Sequence, residues 1–283
     1  MTIISKLKLR LFSFLLSRGW QYHKKEILNY KGQPIYASKG AFFREKEKDD
    51  AWLYLLSRNH KTIVDVGCNI GQSSLLMTVG TKNQILCIDP NPSALSKCAE
   101  NLIFNDLSTQ ARFICAFIGK DEGRKIKFHT ITDGAAGSMF SSFAKTASGL
   151  NKSIIVNTKT LDTLCNELHF SCDLIKIDVE GAEQFVLQGI GSFVLQRDPD
   201  IFVEVHSGPE LNIIDNTNSI LDWCKENSYV PYYMKTHLKL KGIEEIKNRG
   251  RYHLLLLKQG KLYPDYLRNF PENATLADAL RYS

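Results

Sequence analysis

The sequence predicts an α/β fold in which helices flank a doubly wound, Rossmann-like and mostly parallel sheet. Two observations carry this prediction. The apolar, β-branched run Thr62–Val66 leads through Gly67 and Gly71 into a helix-like stretch. A second apolar run, Gln84–Ile88, stops on Asp89, 22 positions after Gly67. In doubly wound folds such a glycine turn cradles an adenosine-containing cofactor, and the acid on the second strand accepts hydrogen bonds from ribose hydroxyls.

Strand and helix patterns alternate along the chain from residue 62, which is typical of a parallel sheet. The predicted strands are Thr62–Val66, Gln84–Ile88, Arg112–Ile118, Leu174–Val179, Asp200–His206, Tyr229–Met234 and Tyr252–Leu257. The predicted helices are Gln72–Val79, Pro92–Asn105, Leu161–Leu168, Gly181–Leu187 and Asn218–Asn227. The alternation breaks in the middle, where a hairpin of Lys125–Thr130 and Ile154–Thr158 flanks the loop Asp133–Ser138. Because the last two strands have no long helix between them, we expect an antiparallel edge hairpin.

The chain divides into three predicted segments. A lead-in of helices and a hairpin covers residues 1–60, a cofactor domain covers residues 61–260, and a tail covers residues 261–283. The hairpin turn is predicted at Lys31–Pro34. Residues 1–60 hold 12 Lys and Arg against 5 Asp and Glu, whereas the remainder holds 24 against 25. Since the cofactor domain has no basic excess, no nucleic-acid substrate is expected.

The first 16 residues combine apolar side chains with Lys6, Lys8 and Arg10. Their apolar run, Leu11–Leu16, is too short to span a bilayer, and no signal-peptide cleavage pattern follows it. Two alternatives stay open. The segment forms a helix packed on the domain, or it forms a basic amphipathic helix on an anionic membrane surface.

The seven cysteines are scattered, and none belongs to a Cys-x-x-Cys pair. Cys87 and Cys115 fall inside apolar strand-like runs, where cysteine acts as a small hydrophobe. The pattern therefore predicts neither a zinc site nor a disulfide framework, and it fits a reducing cytoplasm best.

The spacing of the glycine loop discriminates between cofactors. A dinucleotide loop needs a second glycine where the backbone approaches a pyrophosphate, and that position is Asn69. S-adenosylmethionine has no phosphate, and its ammonium, carboxylate and sulfonium suit the acid of Asp65, the carboxamide of Asn69 and free backbone N–H groups. The alternatives are a nicotinamide or flavin site, and glycines that serve only tight packing.

A second informative stretch is Asp173–Glu183. Side chains alternate across a strand, so Lys176 and Asp178 share one face. An acid at the carboxyl end of a strand points into the ligand crevice of this architecture, which predicts a site role for Asp178. Glu180 and Glu183 have an alternative interpretation as acids in the first turn of a helix, where the helix dipole favours them.

These motifs resemble the FkbM family of S-adenosylmethionine-dependent methyltransferases. The matching segments are Val64–Gly71, Ile88–Asn91, Thr160–Asp162, Leu174–Glu183, Val186–Gly189 and Glu204–His206. They lie in the family's order across residues 60–210. Cys68 stands where alanine is usual, and Gln72 and Ser73 replace a frequent aromatic pair. The resemblance implies a class I methyltransferase fold and O-methylation of hydroxyls on sugars, glycolipids or natural products, so a small-molecule or glycan acceptor is expected.

The pattern and the resemblance together predict a set of site residues. The predicted cofactor-binding residues are Asp65, Gly67, Asn69, Gly71, Ser74, Asp89, Asn91, Ala116 and Asp178. The predicted catalytic residues are His206, Asp178 and Glu204. His206 is the expected base, because histidine titrates near neutral pH, and Glu204 shares its strand face and is expected to orient the imidazole. No metal ligand is assigned, although Asp178 and Glu204 on adjacent strands form an alternative Mg²⁺ pair.

Two other functions stay open at this point. One is N-methylation of a protein or small amine, which would use an acidic or aromatic acceptor pocket. The other is a protein that keeps the fold without catalysis and binds a partner.

Overall fold

The computed structural model describes residues 24–38, 40, 41, 43, 48–130, 137–246, 250–271 and 274–282. Its strands are β1 (Lys24–Tyr30), β2 (Gln33–Ser38), β3 (Thr62–Val66), β4 (Gln84–Ile88), β5 (Ala111–Ile114), β6 (Phe117–Ile118), β7 (Lys125–His129), β8 (Ser153–Lys159), β9 (Leu174–Ile177), β10 (Asp200–His206), β11 (Tyr229–Tyr233), β12 (Leu238–Lys239) and β13 (Arg251–Lys258). Its helices are α1 (Asp49–Arg58), α2 (Gln72–Thr78), α3 (Pro92–Phe104), α4 (Lys145–Gly149), α5 (Leu161–Glu167), α6 (Glu183–Gln188), α7 (Ser192–Leu195), α8 (Ile213–Glu226), α9 (Asp265–Arg268) and α10 (Leu276–Tyr282). The first 16 residues and most of the predicted loop Asp133–Ser138 lie outside the described residues.

The central sheet has eight strands in the order β12-β11-β13-β10-β9-β3-β4-β5. Strands β10, β9, β3, β4 and β5 pair in parallel. Strand β13 pairs antiparallel with both β10 and β11, and β12 pairs antiparallel with β11. The predicted mixed, mostly parallel α/β architecture of the class I methyltransferase type is therefore confirmed.

Apolar side chains on the two faces of the sheet form two separate cores. Along β3, Ile63 enters one core and Val64 enters the other, and both are fully buried. Because successive side chains of a strand point to opposite faces, a strand covered by helices on both sides is apolar throughout. This is why the parallel strands read as continuous apolar runs in the sequence.

The antiparallel pairing of the last two predicted strands and the antiparallel edge of the sheet are confirmed, but neither of these two strands is the outermost one. Strand β13 lies between β10 and β11, and the edge is the short strand β12. The physical reason is the run Leu254–Leu257, whose side chains alternate between the two cores and are all buried. A strand that is apolar on both faces gains most from an interior position.

The predicted continuous strand Arg112–Ile118 is wrong as well. Strand β5 ends at Ile114, which pairs with Ile88, the last residue of β4. Beyond this point the chain has no ladder partner in the central sheet, and β6 joins the separate sheet β6-β8-β7. Cys115 lies in the break and is exposed, whereas Cys87 is buried as expected.

The predicted lead-in hairpin is present as β1 and β2, with Lys31 and Gly32 as its turn. The side chain of Asn101 in α3 attaches it to the domain. Its Oδ1 accepts hydrogen bonds from the backbone N–H of Ser38 at 2.9 Å and from Nζ of Lys24 at 2.7 Å. Its Nδ2 donates to the carbonyl of Ile70 in the glycine loop at 2.7 Å. One buried amide thus ties the hairpin to the loop that shapes the site.

The last two helices pack on the same core as α1. Leu267, Phe270 and Ala279 are buried there. None of the helices among the described residues is long and apolar enough to cross a membrane.

Candidate active site

The order of the strands creates a crevice between β3 and β9. From β3 the chain proceeds outward to β4 and β5, and it later returns to β9 on the other side. At such a switch point the flanking connections diverge and leave a ligand crevice at the carboxyl ends of the strands. Gly67 follows β3 and Asp178 follows β9, so both lie at the mouth of this crevice.

Gly67 allows the two strand ends to approach each other closely. Its φ is +83°, a left-handed conformation that side chains rarely adopt. A Cβ at this position would overlap the backbone carbonyl oxygen of Asp178. The glycine is therefore required by both its conformation and its neighbour.

We expect Gly67→Ala to lower the free energy of unfolding by about 3 kcal/mol or more, because left-handed strain and a backbone clash act together. Gly123→Ala is the matched control, since Gly123 has a φ of +71° and nothing lies within 4 Å of the position that its Cβ would take. The control retains only the conformational strain, about 1 kcal/mol. Urea unfolding of both variants measures the difference, and equal losses would contradict the close approach.

The crevice holds a first cavity of about 620 Å³, including its open side, a size typical of small-molecule sites. Its residues are Val66, Gly67, Asn69, Ile88, Asp89, Pro90, Asn91, Ala94, Ala116, Phe117, Ile118, Phe128, Gly137, Asp178, Val179 and Glu180. One wall is apolar, and the polar groups converge from the ends of β3, β4 and β9. Six predicted cofactor-binding residues line this cavity, namely Gly67, Asn69, Asp89, Asn91, Ala116 and Asp178.

Asp89 is the most constrained polar group of the first cavity. Its Oδ2 accepts a hydrogen bond from the backbone N–H of Asn69 at 2.9 Å, and its Oδ1 accepts one from that of Asn91 at 2.8 Å. Burial raises the pKa of this carboxyl to about 6, although both backbone bonds oppose the shift. Asp89 thus fixes the loop after β3 against the turn after β4.

Asn69 presents a buried acceptor in the crevice. Its φ is +48°, a left-handed conformation that asparagine tolerates better than most residues. Its Oδ1 is buried and has no hydrogen-bond partner among the described residues, which is costly unless a ligand supplies a donor. Asn91 differs, because its Nδ2 donates to the hydroxyl of Thr130 at 2.8 Å and its Oδ1 caps α3.

Asp65, Gly71 and Ser74 do not line either large cavity. Asp65 is fully buried, and its Oδ2 accepts hydrogen bonds from the hydroxyls of Ser73 at 2.8 Å and Ser74 at 2.6 Å. The prediction that Asp65 contacts the ammonium of the cofactor directly is therefore wrong, since this side chain faces neither cavity. This carboxylate anchors the start of α2 from behind the loop, because its strand position points it into the protein.

A cluster of carboxylates surrounds the buried imidazole of His206 at the carboxyl end of β10. Oε1 of Glu183 accepts a hydrogen bond from Nδ1 at 2.9 Å. Around Nε2 lie Oε1 of Glu204 at 3.4 Å, Oε2 of Glu180 at 3.5 Å and Oδ1 of Asp178 at 4.0 Å. The three predicted catalytic residues are thus brought together, and Glu204 contacts Nε2 while Glu183 orients the ring through Nδ1.

The charges of this cluster change the expected titration. Burial opposes the charged form of His206, but Glu183, Glu204 and Asp178 outweigh it and raise its pKa to about 11. The expectation that His206 titrates near neutral pH is therefore wrong, because the surrounding carboxylates keep the imidazole protonated. Burial instead raises the pKa of Glu180 to about 7, even though His206 acts to lower it.

Lys176 connects the carboxylate cluster to β3 and to the glycine loop. Its Nζ lies 3.2 Å from Oδ1 of Asp65 and 3.2 Å from Oδ2 of Asp178, and it donates to the carbonyl of Gly67 at 3.3 Å. Burial favours the neutral amine, but Asp178 and Asp65 outweigh it and raise the pKa of Lys176. The ammonium therefore fixes Asp178 and the glycine loop together.

A second cavity of about 1100 Å³, including open space, meets the first one at Gly67, Asn69 and Asp178. Its residues are Gly40, Asp49, Asp50, Leu53, Gly67, Cys68, Asn69, Ile70, Gln72, Ser73, Lys176, Asp178, Phe202, Glu204, Arg251 and His253. Charged side chains of both signs dominate its wall. The carboxylate–imidazole cluster lies where the two cavities meet.

Sequence reasoning missed the roles of Glu180 and Glu183 in this cluster. Their alternative interpretation was a favourable charge at a helix start, but Glu183 is fully buried and bonds His206. Asn216 completes the arrangement, because its Nδ2 donates to Oε2 of Glu183 at 3.2 Å and to the carbonyl of His206 at 3.0 Å. The sequence did contain a signal for this cluster. Three acids, Asp178, Glu180 and Glu183, follow β9 within six positions, which is more than a favourable interaction with a helix dipole explains.

Comparison with known proteins identifies the family. Residues 65–231, more than half of the chain, match the model of the methyltransferase FkbM domain. The chain belongs to the FkbM methyltransferase family. The family resemblance of the sequence motifs is confirmed, and the protein is an S-adenosylmethionine-dependent methyltransferase.

Known proteins show different degrees of similarity to this FkbM methyltransferase. The 2-O-methyltransferase NoeI of Sinorhizobium fredii is 31% identical over 170 residues, which cover 56% of this chain and 68% of NoeI. The solved FkbM structure from Methylobacillus flagellatus has a TM-score of 0.44 at 13% identity, over 69% of this chain and 43% of its own. The structure of M. jannaschii TYW2 in complex with AdoMet has a TM-score of 0.45 at 12% identity, over 83% and 84% of the two chains.

Proposed function

We propose that this FkbM methyltransferase transfers the methyl group of S-adenosylmethionine to a hydroxyl of a sugar, a glycolipid or a natural product. The observation that carries the proposal is the carboxylate–imidazole cluster at the junction of the two cavities, where both share Asp178. An alcohol is a weak nucleophile, and a nearby base helps to remove its proton. The name of the relative NoeI, a 2-O-methyltransferase, supports oxygen as the acceptor atom.

The first cavity fits the chemical groups of the cofactor. Asp89 can accept hydrogen bonds from the ribose hydroxyls, and the buried Oδ1 of Asn69 can accept one from the ammonium of the methionine part. The apolar side chains of Ile88, Ala116 and Phe117 suit the adenine. When bound, S-adenosylmethionine supplies an electrophilic methyl group on a positively charged sulfur. The acids Asp178 and Glu180 in the wall of the cavity favour that positive charge.

The acceptor hydroxyl would lie beside the cluster, within reach of both cavities. We assign Glu180 as the group that takes its proton, because a carboxyl whose pKa is about 7 exchanges protons readily at neutral pH. The imidazolium of His206 acts beside it, since its positive charge lowers the pKa of both Glu180 and Asp178. Asp178 and Glu204 orient the hydroxyl. Holding the oxygen in line with the methyl group supplies most of the rate.

The second cavity fits a polar acceptor with several hydroxyls. Asp49, Asp50 and Glu204 can accept hydrogen bonds from such a molecule, and Arg251 can donate them. The same acids would also suit an amine, which keeps N-methylation as the second candidate. The positive charges of Lys176 and Arg251 in the same wall favour the neutral, hydroxylated acceptor.

Cofactor affinity should fall as the pH drops through about 6. The ionised form of Asp89 accepts the ribose hydroxyls, whereas the protonated form loses an acceptor, and the pKa of this group is about 6. Affinity should therefore be constant above pH 7 and decrease by up to about tenfold per pH unit below 6. Calorimetric titration between pH 5 and 8 measures it. Asp89→Asn should bind weakly and lose the decrease near pH 6, whereas a step near pH 7 from Glu180 in the same cavity is common to both proteins; an unchanged decrease near pH 6 would contradict the assignment.

The proposed reaction can be tested with S-adenosylmethionine that carries a deuterated methyl group. The purified protein is incubated with this donor and with glycan and glycolipid extracts, and the products are hydrolysed and analysed by mass spectrometry. We expect a deuterated O-methyl monosaccharide in the wild-type reaction and its loss in the His206→Ala variant. Label found on nitrogen would support the amine acceptor. Cofactor binding without any labelled product in these extracts would contradict the proposed acceptor class.

A further inference from the structure

The second cavity contains a group of three possible metal ligands, of which Asp49 and Glu204 also lie in the proposed acceptor site and His253 has no role in the proposed reaction. Oδ2 of Asp49, Oε2 of Glu204 and Nε2 of His253 converge there, and the ligand atoms lie within 4.8 Å of one another. We propose that Asp49, Glu204 and His253 bind a divalent metal ion with mixed nitrogen and oxygen ligands, such as Mn²⁺. Ion binding at this site can be measured independently of methyl transfer.

The spacing of the three atoms fits one ion. Nε2 of His253 lies 3.3 Å from Oε2 of Glu204 and 3.8 Å from Oδ2 of Asp49. Bonds of about 2.0–2.2 Å to a central ion place neighbouring ligands about 3.0–3.5 Å apart. The separation from His253 to Glu204 already falls in this range and that to Asp49 is slightly longer, whereas the two carboxylate oxygens, within 4.8 Å of each other, would have to move closer together. The remaining positions of the ion would face the cavity, where water or acceptor oxygens can fill them.

The imidazole of His253 is held in the orientation that a ligand needs. Its ring stacks on Phe202 with centroids 5.4 Å apart and lies edge-on to Trp52 at 6.0 Å. Its Nε2 is buried and has no hydrogen-bond partner within the described part of the chain. The nitrogen instead faces carboxylate oxygens of Glu204 at 3.3 Å and Asp49 at 3.8 Å without an aligned hydrogen bond, an arrangement that a metal ion between the three atoms would satisfy.

Glu204 can serve two partners because its oxygens point in different directions. Oε1 lies 2.9 Å from Nη1 of Arg251 and 3.4 Å from Nε2 of His206. Oε2 lies towards His253 instead. The carboxylate can therefore bind an ion through Oε2 and still contact the catalytic cluster through Oε1.

A neighbouring group of Asp178, Glu204 and His206 has similar spacing, but its surroundings are less suitable. The ammonium of Lys176 lies 3.2 Å from Asp178 and would repel a second cation there. Nε2 of His206 is already surrounded by three carboxylates. The structure thus favours the group that contains His253.

Titration of the full-length protein with Mn²⁺ tests the site directly, without cofactor or acceptor. The sharp electron paramagnetic resonance signal of free Mn²⁺ weakens as the ion binds. We expect His253→Ala and Asp49→Asn each to weaken binding at least about tenfold, as loss of a ligand should exceed loss of an outer-shell group. Asp50→Asn is the matched control, because it removes the same charge from the same cavity and should change affinity less than about twofold.

Two results would overturn the proposal. One is wild-type Mn²⁺ affinity in both His253→Ala and Asp49→Asn. The other is loss of binding in His206→Ala with retention in His253→Ala, which would place the ion in the neighbouring group. Thermal unfolding without metal checks that each variant is folded, and Asp49→Asn, at the start of α1, tests the site if His253→Ala unfolds. If the wild-type protein binds Mn²⁺ but transfers no methyl group, the proposed function is refuted and the proposed metal site is not.

Discussion

His206→Ala should lower the turnover number by about 10²- to 10³-fold while S-adenosylmethionine affinity stays within about threefold of wild type. The imidazole contacts the carboxylates Asp178, Glu180 and Glu204 at the junction of the cavities. It does not line the first cavity, where we propose that the cofactor binds. Single-turnover rates and calorimetric cofactor titration of the same preparation separate the two quantities.

The pH dependence of the remaining activity of His206→Ala carries further information. In the wild type the imidazolium lowers the pKa of Glu180, which is about 7. Without that positive charge the carboxylate becomes harder to ionise, so its pKa rises. Because the ionised form of Glu180 accepts the proton, the acidic limb of the activity profile should move to higher pH. A profile that only decreases in height would instead mean that His206 itself takes the proton.

His60→Ala is the matched control for this prediction. His60 is also a mostly buried histidine in an ion pair, with its Nε2 3.1 Å from Oδ2 of Asp200. It lies at the amino end of the sheet, away from the crevice. We expect its loss to lower stability but to leave the turnover of the folded protein within about threefold. Wild-type turnover in His206→Ala would remove this residue from the mechanism.

Asp89→Ala should weaken S-adenosylmethionine binding by about 10- to 100-fold, the equivalent of one or two hydrogen bonds to a charged group. The variant removes the proposed acceptor for the ribose hydroxyls. It also releases the backbone N–H groups of Asn69 and Asn91, which Asp89 holds at 2.9 and 2.8 Å. Both changes disturb the first cavity, and calorimetry at pH 7.5 measures their sum.

Asp173→Ala is the control that separates ribose recognition from loop stability. The carboxylate of Asp173 also accepts hydrogen bonds from two backbone N–H groups, those of Lys61 at 3.0 Å and Thr62 at 2.9 Å. These lie at the opposite end of the sheet. We expect a comparable loss of stability with unchanged cofactor affinity, and wild-type affinity in Asp89→Ala would contradict the ribose assignment.

The parallel strands and the cofactor crevice were predictable because their signals are local. Apolar runs such as Thr62–Val66 and Gln84–Ile88 keep the same bounds in the structure, since a strand covered on both faces needs no information beyond its own sequence. The end of β5 was not predictable in this way. It is set by the last residue of β4, which provides the ladder partner of Ile114.

The same distinction applies within the site. The position of Asp89 and Asn69 in the crevice could be predicted from spacing alone, whereas the burial of Asp65 behind the loop depends on Ser73 and Ser74 in the next helix. The role of Glu183 depends on His206, 23 residues later in the chain. Contacts of this kind become visible only when the order of the strands is known.

The sequence alone predicted a doubly wound α/β domain with a crevice for an adenosine-containing cofactor after its first parallel strand, and the resemblance of its motifs to the FkbM family indicated S-adenosylmethionine. The fold and the crevice follow from periodicity and from spacing within short segments, which chain geometry turns directly into structure. The tertiary structure decided the pKa values of the site residues His206 and Glu180. It also created the second cavity. It brings Asp49, Glu204 and His253 together from distant segments, and it surrounds His206 with carboxylates. Charge interactions depend on separation in space and on burial, and the linear sequence contains neither quantity.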